Sequence, residues 1–305
     1  MKIGVIGGAG LLGSTIAFCI SQRNLVDEIV LIDLKENVAK AHVMDMGQAI
    51  SEHNHTAISF GSWDSLKGCD IVIMTASMPE RKVASRIEYL TDNLYIVSTV
   101  AANIANYCPR ATVINATNPV DPVDFIIHDL TGMPAQQFVG FTRNDTLRLR
   151  WAIAKVLHVP TTEVEAMVIG EHGESQVPLY STVRVRGQKV ELSTDQKEDS
   201  SRLIKDWFTN YQELQSGRTS GWTSALGVTH LVEAMVKKTG EILACSAILH
   251  GEFGISGVSV GVPVILGPKG IEQIVEMPLT PEESLGLKAA AEKMRGILGS
   301  VTWHQ

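Results

Sequence analysis

The chain has 305 residues, of which 45% are hydrophobic and 6% aromatic, and its formal net charge is −7 at pH 7. This composition is typical of a globular protein with room for two domains, and the acidic balance argues against a nucleic-acid partner, whose phosphates require a basic surface. No stretch reaches the roughly 18 consecutive apolar residues of a membrane span, so no membrane association is predicted.

The first half of the chain alternates strand-like and helix-like segments, which is typical of βαβ units around a parallel sheet. Strands are predicted at residues 2–6, 29–33, 57–60, 70–75, 112–115 and 138–140. Helices are predicted at about residues 11–23, 38–53, 86–106 and 122–130.

The pattern changes after Phe141. The predicted elements there are a helix near 145–157, short strands around 164–169 and 182–190, helices near 194–215 and 223–237, a β-rich block at 241–266 and a helix from 281. We therefore predict two domains, residues 1–142 and residues 143–305, that meet in a packed junction. A cleft at this junction would face the carboxyl ends of the first sheet.

The first predicted strand leads into a glycine-rich loop, GGAGLLGST. Within it, Gly8-x-Gly10-x-x-Gly13 matches the dinucleotide fingerprint, whose glycines allow a tight turn, close approach of a pyrophosphate and close helix–strand packing. The loop also resembles a nucleoside-triphosphate motif, but Ser14 stands where that motif needs a lysine. The spacing therefore favours a dinucleotide.

The second predicted strand ends at Asp33, twenty residues after Gly13, where the fingerprint places an acid for the adenosine ribose hydroxyls. A carboxylate here would repel the additional phosphate of NADP, and no arginine follows directly, so NAD is the predicted cofactor. The predicted fold class is α/β, with a Rossmann-type doubly wound parallel sheet and a carboxyl-terminal α+β substrate domain.

The four cysteines, at positions 19, 69, 108 and 245, are scattered and form no C-x-x-C pair. Reduced thiols in the cytoplasm are the simplest interpretation of this spacing. No metal site is predicted.

Four short segments place polar residues beside apolar strands near the predicted junction: residues 81–86, 115–121, 144–148 and 169–175. The chain resembles the lactate/malate dehydrogenase family over essentially its full length, with VIGEHGES similar to its histidine loop, DTLRLR to its aspartate/arginine helix and TNPVD to its asparagine turn. Several ordered motifs are far more specific than a glycine loop. The resemblance implies NAD-dependent hydride transfer between a 2-hydroxy acid and its 2-keto acid, in a homodimer or homotetramer.

His172 and Asp145 are the predicted proton-transfer pair. Hydride transfer to a 2-keto acid puts negative charge on the carbonyl oxygen, so a proton donor must meet it, and histidine holds such a proton near neutral pH. As in the family, Asp145 would accept a hydrogen bond from the imidazole and stabilise the imidazolium. The alternative for His172 is a structural residue of a loop. The alternative for Asp145 is an acid that stabilises the first turn of a helix or serves as its N-cap.

Three further polar residues are expected at the substrate. Arg148 follows Asp145 by three residues and could grip a substrate carboxylate with two hydrogen bonds, or form only an i,i+3 salt bridge. Asn118 is expected to hydrogen-bond the reacting oxygen and to contact the cofactor, or else merely closes an Asn-Pro turn. By resemblance, Arg86 follows a mobile loop and would polarise the substrate carbonyl; its alternative is a solvated cation at a helix start.

By resemblance, the mobile loop that precedes Arg86 also determines which substrate the enzyme prefers. An ungapped alignment puts Glu80 where lactate-type enzymes have glutamine and malate-type enzymes arginine, and a glutamate would repel the second carboxylate of oxaloacetate. A one-residue shift of this alignment places Arg81 at the discriminating position instead. Ser220 stands where lactate-type enzymes have threonine, and Trp222 resembles their tryptophan. We favour malate/oxaloacetate; the alternative is lactate/pyruvate or a 2-hydroxy acid with an unusual side chain.

Two other function classes share some of these features. A sugar-nucleotide epimerase or short-chain dehydrogenase would carry the glycine loop, but none of the five tyrosines is followed four residues later by lysine. A noncatalytic NAD-binding protein could have the same fold, because function lies in the site. The set of His172, Asp145, Arg148 and Arg86 argues against that reading.

Overall fold

A computed structural model describes residues 1–78, 86–216 and 220–303. Its strands are β1 (Lys2–Ile6), β2 (Glu28–Ile32), β3 (Ala57–Phe60), β4 (Ile71–Met74), β5 (Thr112–Asn115), β6 (Phe138–Gly140), β7 (Val164–Glu165), β8 (Val168–Gly170), β9 (Gln176–Pro178), β10 (Arg184–Val185), β11 (Gln188–Lys189), β12 (Ile242–His250), β13 (Ser256–Gly267) and β14 (Gly270–Ile274). Its helices are α1 (Leu11–Gln22), α2 (Glu36–Ile50), α3 (Arg86–Tyr107), α4 (Val120–Thr131), α5 (Arg143–Leu157), α6 (Thr194–Glu213), α7 (Gly221–Lys237) and α8 (Pro281–Gly299).

Six parallel strands, in the order β3-β2-β1-β4-β5-β6, form the first part of an eleven-stranded sheet. The residues of β4 and β5 are all buried, because helices cover both faces of a parallel sheet. After β1, the chain adds β2 and β3 on one side of β1, and it then crosses to form β4 on the other side of β1. This reversal opens a crevice beyond the carboxyl ends of the strands, where doubly wound sheets bind ligands.

The sheet does not stop at the predicted domain junction. β6 pairs antiparallel with β12, with Gly140 opposite Ser246, and the sheet continues as β12-β13-β8-β9, with β14 also on β13. A Cβ at Gly140 would lie 2.5 Å from the Ser246 Cβ, so only glycine permits this close crossing. The predicted fold class is confirmed, and the two halves share one mixed sheet.

The main hydrophobic core follows this large sheet through both halves of the chain. A second, smaller core lies under the three-stranded sheet β11-β10-β7 and includes Leu149, Ile153, Val164, Val183 and Ile204. It anchors α5 at its middle and its end. The amino-terminal turn of α5 is thereby held against the large sheet, where the polar segments converge.

Several element boundaries differ from the sequence-based prediction. The second helix begins at Glu36 instead of residue 38, and α4 begins at Val120, because Pro122 is tolerated in a first helical turn. The predicted strand at 164–169 is two strands, β7 and β8, which join different sheets. Within the described ranges, no helix combines the length and hydropathy needed to cross a bilayer.

Candidate active site

His172 and Asp145 are in direct contact. His172 lies in the loop between β8 and β9, and its Nδ1 is 2.6 Å from Oδ2 of Asp145, in the first turn of α5. Only 8% of the Asp145 side chain and 15% of the His172 side chain are exposed. Because a carboxylate can only accept, the contact places the hydrogen on Nδ1 and leaves proton exchange with a substrate to Nε2.

Arg148 binds the other oxygen of the same carboxylate. Its Nη1 donates to Oδ1 of Asp145 at 3.1 Å, one helical turn along α5, and its guanidinium lies 5.1 Å from the ring centre of Trp207 on α6. Burial lowers the pKa of Arg148, and the charge of Asp145 opposes this effect. The cation is therefore held between a carboxylate and an aromatic face, beside the imidazole.

The main chain of the histidine loop is held by Asp121 at the start of α4. The His172 N–H donates to Oδ2 of Asp121 at 2.8 Å, and the Ser246 hydroxyl donates to Oδ1 at 2.6 Å. Asp121 is buried, and this burial raises its pKa to about 6, against the opposing effect of the two hydrogen bonds. Asp121 stood within the asparagine-turn motif, but no role was predicted for it.

Glu171 holds the loop from its other side. Its buried carboxylate accepts the Ser175 N–H at 2.9 Å and lies 2.8 Å from Nζ of Lys293 on α8. The sequence-based prediction missed this pair as well. The sequence signal that could have indicated this pair is an acid placed directly after a buried strand.

The glycine loop leaves no room for side chains at two of its predicted positions. A Cβ at Gly13 would overlap the carbonyl oxygen of Gly7, and a Cβ at Gly8 would lie 2.8 Å from the Leu31 Cβ. Gly10 is the N-cap of α1 and supplies no side-chain hydrogen bond to the amino-terminal N–H groups of this helix. This backbone arrangement fits a bound pyrophosphate.

Asp33 lies at the edge of this glycine loop. Its Oδ2 accepts the Ala9 N–H at 3.0 Å, and its Oδ1 accepts the Lys35 N–H at 2.9 Å. These bonds place the carboxylate beside the loop, at the end of the neighbouring strand. The residues present therefore fit a dinucleotide, with an acidic group at the position where a ribose would bind.

Four other predicted site residues are Asn118, Arg86, Glu80 and Arg81. Asn118 is exposed, just after β5, and its peptide bond to Pro119 is cis. Arg86 is the first residue of α3, but its side chain lies outside the description, and Glu80 and Arg81 lie outside the described residues altogether.

Ser220 immediately precedes α7 and is linked to α5 through the hydroxyl of Ser224. Its carbonyl accepts from the Ser224 hydroxyl at 3.0 Å, and that hydroxyl accepts from Nδ2 of Asn144 at 2.7 Å. Asn144 directly precedes Asp145. The start of α7 is therefore tied to the turn that carries the acid of the histidine pair.

A doubly wound sheet with a glycine loop, an adjacent Asp33 and a buried His172–Asp145 pair is the arrangement of a dinucleotide-dependent oxidoreductase. Residues 1–140 match the lactate/malate dehydrogenase NAD-binding domain, and residues 142–302 match the alpha/beta carboxyl-terminal domain of the same enzymes. The chain therefore belongs to the lactate/malate dehydrogenase family of NAD-dependent enzymes, as its motifs predicted.

Individual relatives carry both family names. The chain is 34% identical over 297 residues to a malate dehydrogenase of Haloferax volcanii, covering 96% of this chain and 97% of that protein. The solved malate dehydrogenase of Aeropyrum pernix is similar with a TM-score of 0.92, 28% identity and 98% coverage of both chains. The lactate dehydrogenase of Cryptosporidium parvum, solved with lactic acid and nicotinamide adenine dinucleotide, gives a TM-score of 0.91 at 30% identity, with 98% and 97% coverage.

Proposed function

We propose that this enzyme interconverts malate and oxaloacetate with NAD. The observation that carries the proposal is the 2.6 Å contact between His172 and Asp145, with Arg148 on the second oxygen of that carboxylate. It combines a proton donor, a group that stabilises its charged form and a cation for a substrate carboxylate. The malate dehydrogenase of Haloferax volcanii supports this choice of substrate.

The chain's own groups act on the substrate in complementary ways. When bound, NADH supplies a hydride to the keto carbon. Arg148 binds the substrate carboxylate, and Nε2 of His172 gives its proton to the carbonyl oxygen as negative charge develops there. Asp145 keeps the imidazole in the required tautomer and stabilises its protonated form before the transfer. In the reverse direction, His172 takes the proton from the hydroxyl.

We assign residues 1–142 to cofactor binding and residues 143–305 to substrate binding. The first family match ends at residue 140 and the second begins at residue 142, which supports this boundary. In this assignment Gly8, Gly10 and Gly13 hold the pyrophosphate, and Asp33 binds the adenosine ribose. Asn118, exposed at the end of β5, contacts both cofactor and substrate.

Lactate/pyruvate is the second candidate pair. Trp222 in the first turn of α7 is 63% exposed, at the position that resembles the tryptophan of lactate-type enzymes. An exposed indole next to Ser220 would favour a substrate with an uncharged end. The lactate dehydrogenase of Cryptosporidium parvum supports this alternative.

A panel of 2-keto acids tests the proposal. Oxidation of NADH is followed spectrophotometrically with oxaloacetate, pyruvate and longer or cationic 2-keto acids, and repeated with NADPH. We expect the highest kcat/KM with oxaloacetate and NADH. A higher value with pyruvate would select the second candidate, and no turnover with any keto acid would contradict the function.

We propose a homodimer or homotetramer as the assembly. The apolar side chains of Leu11, Phe18, Val38 and Met44 on α1 and α2 are exposed, and Met44 reaches 72%. Burying such side chains against a second copy would remove them from water. Light scattering coupled to size exclusion measures the mass, and a monomer at micromolar concentration would contradict the proposal.

We also propose the cytoplasm as the compartment. All four cysteines are free thiols, and three of them are buried. Free thiols persist where glutathione and thioredoxin keep them reduced. Fractionation of the native cells with an antibody to the protein tests this location.

A further inference from the structure

Two buried carboxyl groups behind the histidine loop are joined by two serines. Ser246 Oγ lies 2.6 Å from Oδ1 of Asp121 and 2.8 Å from Ser259 Oγ. Ser259 Oγ lies 3.1 Å from Oδ2 of Asp124, one helical turn beyond Asp121 on α4. We call these four residues the buried relay; each is at most 1% exposed.

The number of hydrogens in the buried relay decides its charge. Three oxygen–oxygen contacts join the four side chains, and each hydrogen bond needs one hydrogen. The hydroxyls of Ser246 and Ser259 supply two. If both carboxyl groups were ionised, each serine would donate to its own carboxylate, and no hydrogen would remain between serine oxygens 2.8 Å apart. The third hydrogen must come from a carboxyl group.

We propose that the buried relay holds one proton between its two carboxyl groups, resting on Asp124, and that it thereby keeps the negative charge on Asp121 behind His172. In this state Asp124 donates to Ser259, Ser259 donates to Ser246, and Ser246 donates to Asp121. No bond is broken and the relay carries a charge of −1. Asp121 and Asp124 are therefore positioning residues for the proton transfer at His172, an assignment that rests on the proposed dehydrogenase function.

The surroundings of the two carboxyl groups favour this placement of the proton. Asp121 accepts two hydrogen bonds, including the His172 N–H, whereas Oδ1 of Asp124 has no partner among the described residues. An ionised carboxylate with an unpaired buried oxygen is far more costly than a neutral acid. Burial raises the pKa of Asp121 to about 6, and it raises the pKa of Asp124 well above its ordinary value.

Other titratable groups also face the buried relay. The His172 imidazole attracts the charge on Asp121, and Glu171, which Lys293 of α8 binds, repels it. From β12, the Cys245 thiol interacts with Asp124, but burial raises the pKa of this thiol to about 12 and keeps it neutral. The attraction between Asp121 and the imidazolium is mutual. A negative Asp121 therefore favours the protonated His172 that reduction needs.

The first test detects the proton directly. Infrared difference spectra of the full-length protein are recorded at neutral pH for the unmodified chain and for Asp124→Asn. We expect the unmodified protein to show the carbonyl stretch of a protonated buried carboxyl group, and the variant to lack it. An amide at position 124 can still donate to Ser259, so the direction of the remaining hydrogen bonds is preserved.

The second test compares two variants that have the same total charge. Asp124→Asn leaves the charge on Asp121, whereas Asp121→Asn supplies the third hydrogen from its amide and moves the charge to Asp124. For keto-acid reduction, kcat/KM falls as His172 loses its proton with rising pH. We expect Asp121→Asn to shift the midpoint of this fall to lower pH by about half a unit or more, because a nearby negative charge is lost. The midpoint of Asp124→Asn should stay within about 0.2 unit of the unmodified protein.

Each result has a distinct meaning. Equal shifts in both variants, or no protonated carboxyl signal in the unmodified protein, would overturn the buried relay. If Asp121→Asn does not fold, the infrared comparison still decides the proposal. If no keto acid is reduced, the proposed function fails, yet the infrared spectra continue to report whether the proton is present.

Discussion

At the scale of single residues, one carboxylate organises the proposed chemistry. Asp145 binds the imidazole of His172 through one oxygen and the guanidinium of Arg148 through the other. In the proposed mechanism, its charge therefore supports the proton donor and fixes the cation that binds the substrate. Because both partners meet on one buried group, a change at Asp145 would disturb two functions, and His172 is the cleaner position for testing the proton transfer.

Replacing His172 by alanine is expected to reduce turnover with little effect on cofactor binding. The loss should be about 10²- to 10⁴-fold in kcat, the range for a missing acid/base group. NADH affinity, measured by fluorescence titration, should remain within about threefold, since the proposed pyrophosphate and ribose sites lie on other elements. His53→Ala changes an exposed histidine and is the control. Turnover that is unchanged in His172→Ala would remove this residue from the mechanism.

The predicted substrate preference depends on Glu80 and Arg81, which lie outside the described residues. If Arg81 faces the substrate, Arg81→Gln should lower kcat/KM for oxaloacetate and leave pyruvate nearly unaffected. If Glu80 faces the substrate, oxaloacetate should be a poor substrate, and Glu80→Gln should raise kcat/KM for oxaloacetate. The reason is that two like charges about 4 Å apart repel by about 1 to 4 kcal/mol. Ratios of kcat/KM for the two keto acids separate these cases. Changes below about threefold in both variants would show that this loop does not select the substrate.

At the scale of elements, α8 supports the histidine loop through the side chain of Lys293. Lys293 reaches the buried carboxylate of Glu171, which directly precedes His172. Lys293→Met is expected to lower the free energy of unfolding by about 1 to 3 kcal/mol, since it removes a charged partner from a buried group. Urea denaturation measures this change. Glu174→Gln is the control, because Glu174 is 91% exposed and lies 3.9 Å from the same ammonium. An equal loss in both variants would contradict the role of the Glu171 pair.

Local patterns in the sequence predicted the elements that they encode directly. The glycine loop, Asp33 and the i,i+3 spacing of Asp145 and Arg148 each lie within one turn or one strand end. The i,i+3 salt bridge, which was the alternative to substrate binding for Arg148, is present. The continuous sheet across the junction was not predicted, because the pairing of β6 with β12 depends on residues far apart in the chain. For the same reason the buried relay was missed: Ser246 and Ser259 reach their aspartates across 125 and 135 residues.

At the scale of the whole molecule, both halves of the chain contribute strands to one sheet. α4 follows β5 of the parallel part, and its Asp121 bonds both Ser246 on β12 and the main chain of His172 after β8. The amino-terminal half therefore supplies the group that holds the histidine loop of the carboxyl-terminal half. Burying two carboxyl groups at this junction has a consequence for the stability of the entire fold.

That consequence is a contribution of Asp124 to the pH dependence of stability, and Asp124→Asn should remove this contribution. Burial raises the pKa of Asp124, so the folded protein keeps a proton that the unfolded chain releases above about pH 4. The contribution of this carboxyl group is therefore largest below about pH 4 and decreases as pH rises toward its folded pKa. Asparagine does not titrate. The free energy of unfolding of Asp124→Asn, relative to the unmodified protein, should increase by up to about 1.4 kcal/mol per pH unit between about pH 5 and pH 7.

Urea denaturation of both proteins across this pH range measures the difference. Asp45→Asn, at an exposed position on α2, shows how much of the trend follows from losing any carboxylate. Comparing the two variants removes the opposing contributions of carboxylates such as Glu233 and Glu241, whose pKa values are lowered by hydrogen bonds from Lys237 and His230. A difference between Asp124→Asn and the unmodified protein that stays constant with pH would mean that Asp124 is already ionised in the folded state. The buried relay would then lack its third hydrogen, and the short contact between Ser246 and Ser259 would have no hydrogen bond to explain it.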